Sequence, residues 1–257
     1  MSEELSFDIH GPVASITLRR AAKLNALTPA MLDGLIRACD AIEADPAIRC
    51  AVLLAEGKAF CAGADINAWS GLTAIEMWQR WIVPGHSAFG RLAALRVPTL
   101  AVVEGACFGG GLELALCCDI RIASHQAMFA MPEVSIGTLP GWGGTGRLPR
   151  AVGLPRAKQM IFSGERIDAA RAESWGLVNG VFEGEGARAE ASRLAELIAG
   201  RAPVAVAAAK LALSVHENDA PSRALEALGG AIASATQDAR EGLASFREKR
   251  APNWQGL

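Results

Sequence analysis

Two glutamates and a run of glycines carry the chemistry this sequence could do. Glu113 follows the triplet Gly109, Gly110 and Gly111, and Glu133 stands twenty residues later inside AMFAMPEVSIG, among almost wholly apolar neighbours. The run Thr99–Glu104 predicts a buried strand, and LELALCC over 112–118 predicts a short, largely buried helix. A strand passing through glycines into a helix leaves free N–H groups at the helix start, backed by the positive end of its dipole. Such donors suit an anion, or a carbonyl oxygen that becomes one. Two carboxylates beside them are fit for proton transfer next to a carbonyl. Each feature also has an ordinary structural explanation. A glycine triplet can be a tight turn, a glutamate in a first helical turn can complement the dipole, and Glu133 after Pro132 can open a helical turn. The apolar surroundings favour a site, because a buried, unpaired carboxylate is costly.

The elements that would position these groups follow from pattern. Val13–Leu18 reads as a strand paired with Phe7–Ile9 through the His10–Gly11–Pro12 turn, and Cys50–Ala55 as a second buried strand. Thr28 caps a helix with Pro29 in its first position and an apolar face of Met31, Leu32, Leu35, Ile36, Cys39 and Ile42. Residues 72–95 read as helical with a break at Pro84–Gly85, near Trp69, Trp78 and Trp81. Beyond the central stretch, 119–123, 127–131 and 177–182 read as strands, and 154–163 and 168–175 as helices. From Glu185 onward the pattern is helical, over 185–200, 203–216, 220–236 and 238–249. Alternation of strands and helices followed by helices alone predicts an α/β core with a helical C-terminal region.

Composition narrows the classes. At 51% hydrophobic and 20% charged over 257 residues, the chain falls among folded globular proteins with a substantial core. Twenty-five basic against 27 acidic residues leave no basic footprint for nucleic acid. The six cysteines form no CxxC pair and none stands at metal-ligand spacing from a histidine, so no metal is expected. Buried thiols point to a reducing compartment, taken as the cytoplasm. The opening MSEELSFDIHG shows no signal peptide, and glutamates and glycines interrupt the longest apolar run, so no membrane span is expected. Gly141-Trp-Gly-Gly-Thr-Gly146 matches the dinucleotide-binding GxGxxG literally. Its context argues against that use: no clean strand precedes it, and Pro149 should break the helix that ought to open there.

Over nearly its whole length the chain resembles the enoyl-CoA hydratase/isomerase (crotonase) family. The segments that carry the resemblance are KLNALT (23–28), AFCAGADI (59–66), EGACFGGGLELALCCDIRIAS (104–124), FAMPEVSIGTLPGWGGTGRLPR (129–150) and FREKR (246–250). Two departures touch loops, with Ala21 where many members have proline and Gly146 where many have glutamine. The resemblance implies an α/β spiral of strand–strand–helix turns over residues 1–200, then a helical oligomerisation region over 201–257. It implies a homotrimer or dimer of trimers acting on an acyl-CoA thioester, with coenzyme A as part of the substrate and no other cofactor. It places the catalytic pair on Glu113 and Glu133, the oxyanion hole on the N–H groups of Ala62 and Gly110, and a water-holding N–H on Gly141. Coenzyme A contacts fall on Lys23, Leu24, Ala62, Gly63, Ala64 and Asp65, and on Lys249 reaching into a neighbouring subunit. The expected reaction is syn hydration of a 2-enoyl-CoA in fatty acid β-oxidation. Dehydration of a polar acyl-CoA of the carnitinyl type and Δ3,Δ2-enoyl-CoA isomerisation are the alternatives within the family. RNA binding, known from one branch of the family, is disfavoured by the net charge.

Overall fold

Short apolar runs, continuous in the central strands, place ten strands in two sheets, seen in a computed structural model that describes residues 3–214 and 236–257. The strands are β1 (Leu5–His10), β2 (Val13–Leu18), β3 (Cys50–Ala55), β4 (Ala59–Cys61), β5 (Thr99–Val103), β6 (Ala106–Phe108), β7 (Ile120–Ser124), β8 (Met128–Ala130), β9 (Ile167–Asp168) and β10 (Gly180–Phe182). The larger sheet has the order β1-β2-β3-β5-β7-β10, parallel except for the β1–β2 hairpin, whose register pairs His10 with Val13 across the expected turn. The smaller sheet has the order β4-β6-β8-β9, parallel up to the antiparallel β8–β9 pair. Each pass of the chain (β3–β4, β5–β6, β7–β8) adds one strand to each sheet before a helical segment, which is the expected spiral.

Side-chain alternation divides the core. Ala51, Leu53, Ala101, Val103 and Ala123 face the main core, while Cys50, Val52, Leu100, Val102 and Ile122 face the Gly186–Ala199 helix. That helix presents Ala187, Ala191, Ala195 and Ala199, one every four residues, so its backbone packs closely on the sheet. The Pro29–Ala44 helix is capped by Thr28, whose hydroxyl accepts the Met31 N–H at 3.2 Å, and it buries the anticipated stripe with Ile36 at its edge. All six cysteines are buried and free.

Two helical expectations need correction. The segment after residue 72 is not broken at Pro84: an Ala74–Glu76 turn and a π-helical stretch, Met77–Ile82, run directly into the Val83–Ala93 helix. Pro84 sits in the first turn of that helix, where its missing N–H costs little, and the wider π turn before it absorbs the misfit. Pro149 likewise does not prevent a helix, since Gly144–Val152 is helical with Pro149 inside it. The helix ends within a turn of the proline, at Gly153, so only one backbone bond is forfeited.

The C-terminal region forms helices Pro203–Ser214 and Gln237–Glu248. The helix expected over 220–236 lies outside the described residues. Lys210 ties this region to the core through Asp119 at 2.8 Å and the Val97 carbonyl at 2.9 Å. Arg49 reaches the Trp254 carbonyl at 2.9 Å. Among the described residues no single helix is long and apolar enough to cross a membrane.

Candidate active site

The glycine triplet divides its work by conformation. Gly109 has φ 52° and ψ −125°, a combination that only glycine holds cheaply, and it turns the chain from β6 into the Gly110–Ala115 helix. The helix therefore starts two residues earlier than the apolar run suggests. Gly110 and Gly111 are inside it, and a Cβ on Gly111 would lie 2.3 Å from the Cys61 carbonyl. Close packing against β4, rather than backbone freedom, requires glycine there.

That packing brings the N-terminal turn of the helix against the AFCAGADI loop. A Cβ on Gly110 would stand 3.4 Å from the Ala64 nitrogen, so the two N–H groups are neighbours. Neither has an acceptor among the described residues. Ala62 is different, because its N–H donates to the Leu24 carbonyl at 2.9 Å. The Ala62 N–H is committed to holding the 23–28 loop and is not available as an oxyanion donor. The available pair is Ala64 and Gly110.

Glu113, one turn into the helix, is only 2% exposed. Its Oε1 accepts the N–H of Trp142 at 2.8 Å and of Gly144 at 2.7 Å. The glycine-rich turn that imitates a dinucleotide motif thus spends its N–H groups on an internal carboxylate. Burial pushes the Glu113 carboxyl above its usual range, while the Gly144, Trp142 and Gly141 N–H groups pull it back. Glu133 opens the short 3-10 turn Glu133–Ile136, as Pro132 allows. Both its carboxylate oxygens are closed off from solvent without a hydrogen-bond partner. Burial, reinforced by the charge of Glu113, raises its carboxyl to about 7.

Glu113 and Glu133 line one cavity of about 270 Å³, together with Gly110, Ala64 and Gly141. Its remaining wall is mostly apolar and includes Trp69, Trp81, Ile82 and Leu139, with Ser135 and Thr138 as its polar members. Trp78 is not part of it and is largely exposed. Trp142 closes the inner wall, its ring 5.0 Å from Trp81 and 5.1 Å from Phe89, and its Nε1 donates to the Trp81 carbonyl at 3.3 Å. Trp142 and Gly144 escaped the sequence reading, because a backbone donor leaves no mark in residue type.

The residues expected at coenzyme A lie around the AFCAGADI loop, with one exception. Ala62, Gly63 and Ala64 line the cavity. Lys23 and Leu24 form an exposed turn beside it, with Leu24 and Asn25 both left-handed, at φ 51° and 54°. Buried Asn25 fixes that turn by donating from Nδ2 to the Glu56 and Ala59 carbonyls, each at 2.9 Å. The Asp65 carboxylate is occupied by Arg20 at 2.7 Å and the Asn67 N–H at 3.0 Å. Its backbone is occupied too, the N–H donating to the Leu27 carbonyl and the carbonyl accepting the Ala68 N–H, each at 2.9 Å, so Asp65 holds the loop rather than offering a free polar group. Lys249 lies apart, exposed beyond the Gln237–Glu248 helix.

A two-sheet spiral with paired glutamates and free backbone donors around an apolar cavity defines a protein of the crotonase fold. The sequence profile described as Enoyl-CoA hydratase/isomerase matches residues 8–257, and the chain belongs to that family. It is 38% identical over 244 residues to a probable enoyl-CoA hydratase of Mycobacterium bovis, covering 94% of each chain. It is 36% identical over 255 residues to the crotonyl-CoA hydratase of Syntrophomonas wolfei, covering 98% of each. The crystal structure of an enoyl-CoA hydratase from Bacillus anthracis superposes with a TM-score of 0.95 at 34% identity, over 99% of this chain and 100% of that one.

Proposed function

We propose that the protein catalyses reversible syn hydration of a 2-enoyl-CoA to the 3-hydroxyacyl-CoA. The observation that carries this reading is that two buried carboxylates face one cavity beside the adjacent N–H groups of Ala64 and Gly110. Water adding to Cβ of a conjugated thioester moves an electron pair onto the thioester oxygen, giving an enolate. Two fixed N–H donors stabilise that charge, and removal of one such donor costs about 10²–10³ in rate. Glu113 takes a proton from the water as its oxygen bonds to Cβ. Glu133, neutral in part at pH 7, gives a proton to Cα as the enolate collapses. The Gly141 N–H helps hold the water. Proton exchange with solvent then resets both carboxyls, and the reverse sequence is dehydration.

An isomerase moving a double bond needs only one carboxylate to shuttle a proton, so the second, hydrogen-bonded glutamate favours hydration. Coenzyme A would run past Lys23, Leu24 and the Ala62–Asp65 backbone, with Lys249 of a neighbouring copy closing on it. The assembly would be a trimer or a pair of trimers, checked by light scattering, and a monodisperse monomer at micromolar concentration would exclude it. The direct test offers a panel of 2-enoyl-CoA thioesters and follows loss of the conjugated-thioester absorbance. Absence of turnover across the panel would end the hydratase reading.

A further inference from the structure

Two arginines follow β2 directly, and their surroundings differ. The Arg19 side chain is 50% exposed and meets the equally exposed Glu56 at 3.0 Å. The Arg20 side chain is 18% exposed, and each nitrogen of its guanidinium has its own partner. Nε meets Glu4 Oε1 at 2.9 Å, Nη1 donates to the Ala26 carbonyl at 2.9 Å, and Nη2 meets Asp65 Oδ2 at 2.7 Å. A planar fork that holds several partners at once is a task for arginine that lysine does not perform. An exposed ion pair such as that of Arg19 contributes little, whereas Arg20 and Asp65 are both largely withdrawn from water.

The three partners of Arg20 lie on separate segments. Glu4 precedes β1, and its other carboxylate oxygen accepts the Thr28 hydroxyl at 2.6 Å. Ala26 belongs to the 23–28 loop and Asp65 to the AFCAGADI loop. Those two loops pair in parallel at Leu27 and Ala64, the Leu27 N–H donating to the Gly63 carbonyl at 2.8 Å and the Asp65 N–H to the Leu27 carbonyl at 2.9 Å. The Ala62 N–H is taken by the Leu24 carbonyl, and the Gly63 N–H meets Cys61 Sγ at 3.4 Å. Among the described residues, Ala64 is therefore the member of 62–65 whose N–H is left free, next to that of Gly110. So short a pairing of extended segments is weak unless something else ties them together. Arg20 does not line the cavity, so any effect it has on the site passes through these loops. We infer that Arg20 is a positioning residue: its fork locks the 23–28 loop against the 62–65 loop and thereby fixes the Ala64 N–H beside that of Gly110.

This inference rests on those two donors receiving a thioester oxygen, and its test reads that contact. Hydrogen bonds to a thioester oxygen lower its carbonyl stretching frequency. Infrared difference spectra of bound butyryl-CoA, isotope-labelled at the carbonyl, therefore report the donors in folded, ligand-saturated protein. In Arg20→Gln the downshift seen in the parent should shrink by about half or more, and kcat on but-2-enoyl-CoA should fall by about tenfold or more. Arg19→Gln should leave both unchanged. A parent-like band in Arg20→Gln overturns the inference whatever the loss of activity, as does an equal effect in Arg19→Gln. If Arg20→Gln does not fold, Asp65→Asn, which weakens one arm of the fork and keeps an oxygen for the Asn67 N–H, is read in the same way. If the parent binds no acyl-CoA, or binds it without a downshift, the hydratase reading fails separately. Amide hydrogen exchange then decides on Arg20. In Arg20→Gln the Leu27, Ala62 and Asp65 amides should exchange about tenfold faster or more while those of β5 keep their protection, and an unchanged or uniform exchange overturns the inference.

Discussion

The backbone N–H of Trp142 holds Glu113 Oε1 at 2.8 Å, while the ring of the same residue fills the space beside Gly110, where a Cβ would meet Cζ3 at 3.0 Å. One residue thereby fixes the carboxylate and bounds the oxyanion turn. Its ring is seated in turn on the Val83–Ala93 helix, where a Cβ on Gly85 would stand 2.0 Å from its Nε1. The wider turn at Met77–Ile82 and the glycine at 85 are what admit so large a side chain beneath the site.

Gly144 completes that clamp and gives a sharp test of it. A Cβ there would lie 2.9 Å from Glu113 Oε1 and 3.0 Å from the Pro140 Cβ, so one of them must move. Gly144→Ala should lower kcat by about 10²-fold, the scale set by misplacing a catalytic group by an ångström. Affinity for a saturated acyl-CoA should change little, and calorimetric titration beside steady-state kinetics checks the split.

Gly110 and Gly109 should separate chemistry from scaffold. Gly110 has an ordinary helical backbone, so alanine there adds no backbone strain, but its Cβ would sit 3.0 Å from Trp142 Cζ3, which must give by a few tenths of an ångström, and 3.4 Å from the Ala64 nitrogen, against the other donor. Gly110→Ala should cut kcat/KM by about two orders of magnitude with a modest change in melting temperature. Gly109→Ala places a side chain at φ 52° and 3.0 Å from Glu133 Oε1, and should lower the melting temperature by several degrees because alanine strains the turn, a fall in stability that Gly110→Ala should not share. Activity lost only in proportion to folded Gly110→Ala protein would make Gly110 a structural glycine.

Much of this arrangement is legible in the sequence because it rests on local rules. The cap at Thr28, the β1–β2 hairpin, the strand before the glycine triplet and the helical turn at Glu133 follow from residue type and period. What was missed depends on contacts between distant segments. The helix starts at Gly110 because β4 lies close behind Gly111, and Pro149 is tolerated because its helix ends within one turn. Ala62 resembles a donor in its motif, yet the Leu24 carbonyl, 38 positions away in the chain, already takes its N–H. The placement of the tryptophans is of the same kind, since spacing cannot say that Trp69 and Trp81 line the cavity while Trp78 faces outward.

The two carboxylates should respond differently to amide replacement if the reaction is hydration. Glu113→Gln and Glu133→Gln should each lower kcat by about 10²–10⁴ while thioester binding is largely kept. An isomerase acting through one carboxylate would tolerate Glu113→Gln and fail only at Glu133. Assaying both variants on a 2-enoyl-CoA and on a 3-enoyl-CoA distinguishes the two activities.

The raised Glu133 carboxyl has consequences for rate and stability that can be read separately. Hydration requires Glu133 in its neutral form to protonate Cα, so kcat/KM for hydration should fall as pH rises through about 7. For dehydration the same group acts as base, and that rate should rise over the same interval. Stability follows from linkage. The folded protein holds this proton up to about pH 7, whereas an unfolded glutamate releases it near 4.5, so the native state binds more protons between those values. The contribution of Glu133 to stability is therefore present in full below pH 4.5 and is lost progressively as pH rises through 7. Glu133→Gln stays neutral throughout and should melt at a higher temperature than the parent protein above pH 7, the gap closing toward pH 4.5. Melting curves of both proteins from pH 4.5 to 8.5, without ligand, measure this. A gap that stays constant across the range would mean that Glu133 is already ionised in the resting site, and the proton donor to Cα would have to be sought elsewhere.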